Sequence, residues 1–174
     1  MRKLSISSKG IIKIANIGYK IIEVNKDTLS KRQAEDVYGN KILNTAGVYI
    51  FISDKDFPNF NINYFNSEVT GVFVSQYQPI IRTMEVPPFN EKPKKGCLFY
   101  VGRDTHVISR IKEHWKTAKL NGCTSLKLGF ASRKWIKKFL KVYAITSCAD
   151  KSKSLDYKQL EKDIRNEYGA TFGK

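Results

Sequence analysis

Gly96-Cys-Leu-Phe-Tyr-Val-Gly-Arg-Asp-Thr-His-Val-Ile-Ser-Arg-Ile-Lys-Glu-His-Trp-Lys-Thr-Ala118 carries three structural signals in succession. Cys97 to Val101 is an apolar run of strand length, Gly102 reads as a turn, and Asp104 or Thr105 is a candidate helix cap ahead of a period-3.6 pattern. On that helix Ile108, Ile111, Trp115 and Ala118 form the expected core face, while His106, Arg110 and His114 recur every four residues beside it. Such a row projects a guanidinium and two imidazoles in one direction, next to the end of the strand that carries Tyr100. A cation, a titratable ring and a phenol meeting at one place suit a phosphodiester. A solvated helix face is the plainer alternative.

The surrounding composition favours a polyanionic partner. The chain has 174 residues, enough for one domain with a substantial core, and its 41% hydrophobic and 12% aromatic content argues against disorder. Against 31 Lys and Arg stand 16 Asp and Glu, a formal charge of +15. A field of that sign attracts polyanions, nucleic acid foremost. Cys97, Cys123 and Cys148 are an odd set without CxxC spacing, so neither a zinc site nor a disulfide framework is indicated. Met1 to Lys9 has no apolar region of signal-peptide length and no run approaches a membrane span, so a cytoplasmic protein with reduced thiols and no membrane contact is expected.

Upstream of the quoted stretch, residues 1–45 read as an N-terminal extension. Ile11, Ile12 and Ile14 suggest a brief helix or strand, Gly18 a turn, Tyr19 to Val24 a strand, and Ser30 to Gln33 a capping box opening a helix closed by Gly39 and Asn40. Thr45 to Ser53, with Gly47-Val-Tyr-Ile-Phe-Ile52, reads as a strand. Residues 55–95 form a long insertion that contains all five prolines, so turns and edges are expected there, with one more strand at Gly71 to Tyr77. Its Gln76, Gln78 and Arg82 can read base edges, alongside Asn59, Asn61, Asn63 and Asn66, and Lys92, Lys94 and Lys95 make a basic loop. An Asn-rich surface loop is an equal alternative.

Downstream, Ser125 to Phe130 reads as a short strand, Arg133 to Lys138 as a short basic helix and Leu140 to Thr146 as a strand. A last helix spans Leu155 to Tyr168, where Leu160, Ile164 and Tyr168 make an apolar stripe, Gly169 ends it, and Glu161 sits at the stripe's edge.

Gly47-Val48-Tyr49, then Tyr100-Val101-Gly102, then Arg110 and His114, and finally Glu161 in Gln-Leu-Glu-Lys-Asp-Ile, together resemble the GIY-YIG nuclease superfamily, above all its type II restriction endonucleases. The likeness covers about residues 45–54 and 97–173. It implies a single α+β domain, with a small central, mainly antiparallel three-stranded sheet flanked by helices. The nuclease core would be 46–54 and 96–174, carrying the N-terminal extension and the insertion between its first two strands. Gly173 stands where the family often has an Asn, and Asn166 comes too early to replace it.

The same resemblance implies a metal-dependent endodeoxyribonuclease cutting double-stranded DNA at a short site. Glu161 would hold one Mg2+ or Mn2+, Arg110 would grip the phosphate, Tyr100 would hydrogen-bond a phosphate oxygen or the attacking water, and Tyr49 or His114 would be the general base. Arg103 is expected on the phosphate backbone, and His106 is a phosphate contact or a plain surface residue. With the sequence ending soon after the Glu161 helix, site recognition falls to residues 1–45 and 55–95. Cutting both strands then calls for a homodimer on DNA or for sequential nicking. A phage or mobile-element nuclease of loose specificity, and a catalytically silent DNA-binding protein, are the alternatives.

Overall fold

The computed structural model describes residues 4, 6–25, 33–36, 41–53, 98–116, 140–147 and 155–169. Expectations for Cys97, Ala118, the insertion with Gln76, Gln78, Arg82, Lys92, Lys94 and Lys95, the strands at 71–77 and 125–130, the helix at 133–138 and the position of Gly173 all lie outside the described residues. The elements are β1 (Ile11–Ile14), β2 (Ile17–Lys20), β3 (Ile22–Glu23), β4 (Gln33–Asp36), β5 (Lys41–Leu43), β6 (Gly47–Ser53), β7 (Leu98–Asp104), α1 (Val107–Lys116), β8 (Leu140–Thr146) and α2 (Tyr157–Tyr168).

The class is α+β, with an antiparallel sheet and two helices among the described residues. Among the described residues the main sheet holds six strands in the order β5-β4-β3-β8-β6-β7, beside a separate β1-β2 hairpin; it is wider than the three expected because the N-terminal extension adds β3, β4 and β5 on the side of β8 away from β6. β6 lies between β7 and β8 and pairs along its length with both, which explains its hydrophobic run: a strand with neighbours on both sides and layers on both faces must be apolar throughout. Among the described residues no helix is long and apolar enough to cross a membrane.

The two faces of β6 are lined differently. Val48, Ile50 and Ile52 join Leu98, Val101, Ile145 and the α2 stripe of Leu160, Ile164 and Tyr168 in one core. Ile12, Ile14 and Ile21 extend that core beneath the N-terminal hairpin, where the Tyr168 hydroxyl donates to the Lys13 carbonyl at 2.7 Å. Tyr49 and Phe51 point to the opposite face, where α1 covers them.

Several local expectations change for identifiable reasons. The hairpin turns at Ala15 and Asn16, both at positive φ (47° and 66°), while Gly18 lies within β2 opposite Lys13. Tyr19 to Val24 is split into β2 and β3 with Ile21 between them, so the chain leaves the hairpin to enter the main sheet. The capping-box helix is not formed at Gln33–Asp36, which is β4: its main chain pairs with both β3 and β5, and those ladders override the local capping signal. Gly102 is not a turn, because β7 continues through it to Asp104.

α2 begins after Asp156, whose carboxylate accepts from the amides of Lys158 and Gln159 at 3.0 Å each, and stops at Gly169 in a left-handed conformation (φ 63°). The start of α1 is secured differently. Asp104 accepts from the His106 amide at 2.8 Å, but the amides of Ile108 and Ser109 donate to the side-chain oxygen of Asn44, at 2.8 and 3.2 Å. Val107 donates to the Thr45 carbonyl. The segment just before β6 thereby caps α1 from 64 residues away in sequence and sets the helix against the sheet.

Candidate active site

The strand ladder places Tyr49 at the centre of the site. Its direct neighbours are Gly102 on β7 and Ala144 on β8, so the phenol is flanked on its own face by two of the smallest residues. A Cβ on Gly102 would overlap the Tyr49 hydroxyl and lie 2.6 Å from Tyr49 Cζ. The second tripeptide therefore ends in glycine to make room for the tyrosine of the first. Phe51 faces Tyr100 two pairs further along, on the same face.

Above these strands α1 contributes Arg110 and His114. The row expected to lie side by side separates as the helix descends onto the sheet: His106 is exposed, Arg110 is half-buried and His114 is fully buried. His114 thus belongs to the core face with Val107, Ile108 and Ile111, and its imidazole is packed among Tyr49, Tyr100 and Phe51 at centroid distances of 5.2, 5.0 and 5.7 Å. Trp115 stacks on Phe51 and closes that side. A histidine in such a setting needs a polar partner. It has one in the Tyr49 hydroxyl, 2.7 Å from Nε2.

Burial pushes the Tyr49 phenol well above its ordinary value; the neighbouring Tyr100 phenol adds to the shift and Arg110 opposes it. Tyr100 is raised too, chiefly by burial and also by the negative charge of Glu161, against the pull of the Tyr49 hydrogen bond, Arg110 and Arg165. Both phenols are protonated at neutral pH and serve as hydrogen-bond donors until a neighbouring group takes a proton from them. Arg110 also pairs with Glu113 one turn along the helix.

Glu161 stands on α2, which packs on the other face of the sheet beside β7, an edge strand among the described residues, and its negative charge bears on Tyr100. Its carboxylate is held by Arg103 Nε at 3.1 Å and by Arg165 at 2.8 Å, and Arg165 also donates to the Val101 carbonyl at 3.3 Å. Among the described residues no group of three or more His, Cys, Asp or Glu converges to hold a metal ion. A single, partly exposed carboxylate suits a hard divalent cation that keeps most of its waters and takes its other ligands from a bound phosphate. Glu161 fits that description once Oε2 is released.

The structure therefore brings Tyr49, Tyr100, Arg110 and His114 into one cluster, sets Glu161, paired with Arg103, on the α2 side where its charge bears on Tyr100, and leaves His106 on the surface, its ring near Thr105. Three contributors were not read from sequence. Arg165 had a signal, since it stands four residues after Glu161 on one helix face. Phe51 as an aromatic wall was foreshadowed only by the alternation of β6, and Asn44 by nothing local. No known protein-family model matches the chain, and comparison with curated proteins and with solved structures gave no match.

Proposed function

We propose that the chain is a metal-dependent DNA endonuclease of the GIY-YIG type, acting as a restriction enzyme on double-stranded DNA at a short specific site. The observation that carries this reading is the pairing of Tyr49 with His114 across 2.7 Å, beside Tyr100 and Arg110, in a protein of net charge +15. A buried phenol beside an imidazole can pass its proton on: with Nε2 unprotonated, Tyr49 donates to it, and the tyrosyl oxygen becomes a base for a water entering past Tyr100. His114 is then the proton sink and Tyr49 the group nearer the nucleophile. Tyr100 donates to the phosphate or orients the water, and Arg110 binds a non-bridging oxygen. A divalent ion on Glu161 would supply charge neutralisation and a Lewis acid for the leaving oxygen.

The pairing of both Glu161 oxygens with arginine favours a second reading, a DNA-binding protein that does not cut. Supercoiled plasmid with Mg2+ separates the two. Cutting that is abolished in Glu161→Gln while DNA binding persists supports the nuclease, as does a loss of about a hundredfold or more in Arg110→Ala. Intact plasmid with tight binding by the wild-type protein supports the silent binder. Discrete fragments support a restriction enzyme, and a smear supports a nuclease of loose specificity. Duplex binding is expected to weaken steeply with added salt as phosphate contacts release counterions.

A further inference from the structure

The two arginines on Glu161 are not equivalent. Arg165 sits one turn along the same helix, has a second anchor on the Val101 carbonyl and is 27% exposed. Arg103 approaches from β7, is 49% exposed and holds Oε2 through Nε at 3.1 Å. The carboxylate between them is 19% exposed. A dication cannot share Oε2 with a guanidinium at that distance without like-charge repulsion in a partly desolvated place. Occupation of that oxygen by Arg103 and by a metal ion is therefore mutually exclusive.

We infer that Arg103 is a polyanion-released cap on Glu161, so that binding of a nucleic-acid phosphate draws Arg103 away and opens Oε2 to the divalent ion. This rests on the nuclease reading above. A phosphodiester offers a guanidinium a charge-assisted, geometrically matched acceptor, and Arg103, 49% exposed on its side of the pair, is open to that competition. Arg165, tied to the main chain of β7, stays in place and keeps the carboxylate oriented. Because the two ligands relieve a common obstacle, polyanion and metal each strengthen binding of the other by the same factor. Without nucleic acid the site holds its ion weakly. Arg103 is a positioning residue here, with one state on Glu161 and one on phosphate.

Mn2+ binding, followed from the electron paramagnetic resonance signal of the free ion, tests this without any cutting. Wild-type protein, Arg103→Ala, Arg103→Gln and Glu161→Gln are titrated with Mn2+ alone and with a mixed-sequence duplex of hydrolysis-resistant phosphorothioate linkages, ions held by the duplex alone being subtracted. Arg103→Ala and Arg103→Gln are expected to bind Mn2+ about tenfold more tightly than wild type in the absence of duplex. Phosphate ligation tightens Mn2+ binding in every protein that keeps Glu161, and the duplex should tighten wild type further than either Arg103 variant, by about the factor those variants gain without duplex. Glu161→Gln should lack the site throughout. Equal affinity in wild type and the Arg103 variants, a duplex effect of the same size in all of them, or no Glu161-dependent Mn2+ binding would each overturn the cap. A wild-type protein that cuts plasmid but shows one of those results loses the cap and keeps the nuclease reading; failure to cut, with the binding results as expected, does the reverse.

Discussion

Tyr49 and Gly102 face each other across β6 and β7, and the tyrosine hydroxyl occupies the space where a side chain on residue 102 would begin. The glycine is at ordinary strand φ, so its role is spatial and not conformational: it lets the phenol lie across β7 and reach His114 Nε2.

Gly102→Ala should therefore force the Tyr49 ring aside, since neither the β7 backbone nor a buried phenol can yield easily. Overpacking of this kind costs about 1–3 kcal/mol. The expected result is an unfolding free energy from urea titration lowered by that amount and plasmid cutting lowered more than the stability loss accounts for. Unchanged cutting in a folded Gly102→Ala protein would remove the Tyr49–His114 bond from the proposed chemistry.

Asn44 caps α1 from the segment before β6, accepting from the Ile108 and Ser109 amides and donating to Ser109 Oγ at 2.8 Å. Asn44→Ala should lower stability by about 1 kcal/mol, the usual loss when a cap is removed. Asn44→Asp should recover most of it, because a carboxylate keeps the acceptor and complements the helix N-terminus. Denaturant unfolding of the three proteins checks the order, and equal midpoints for Ala and Asn would contradict the capping role.

The raised phenols of Tyr49 and Tyr100 set a pH dependence of stability. In the unfolded chain a tyrosine releases its proton at about pH 10, whereas the folded protein retains it to higher pH. Stability is thus level below that value and falls as pH rises through and beyond it, by about 1.4 kcal/mol per pH unit for each such phenol. Tyr19 is shifted the same way, by partial burial and by Asp163, and adds in the same direction. Unfolding free energies measured from about pH 8 to pH 11 should decline less steeply in Tyr49→Phe and Tyr100→Phe than in wild type; identical slopes would contradict the assignment.

Much of the local architecture was legible. β6 and β8 declared themselves through apolar runs, and the stripe of Leu160, Ile164 and Tyr168 with Gly169 behind it fixed α2, because burial patterns and end signals are properties of neighbouring residues. The extension was misread at Gln33–Asp36 because the backbone partners that make it a strand lie on β3 and β5, beyond any local window. Of the expected row of His106, Arg110 and His114, the last two lie on α1, whereas His106 precedes the helix and His114 belongs to its buried face. Their unequal burial was not readable, since it depends on the angle at which α1 meets the sheet.

The sequence by itself determined the residue types of the candidate site, the strand and helix that carry most of them, and the strong positive charge, since all of these follow from short-range pattern and composition. Only the tertiary structure decided that Tyr49 reaches His114 over Gly102, that Asn44 holds the start of α1, and that Arg103 covers Glu161. Those relationships join residues from 53 to 65 positions apart, and they arise when two faces of one sheet are packed against different helices, which no periodicity along the chain encodes.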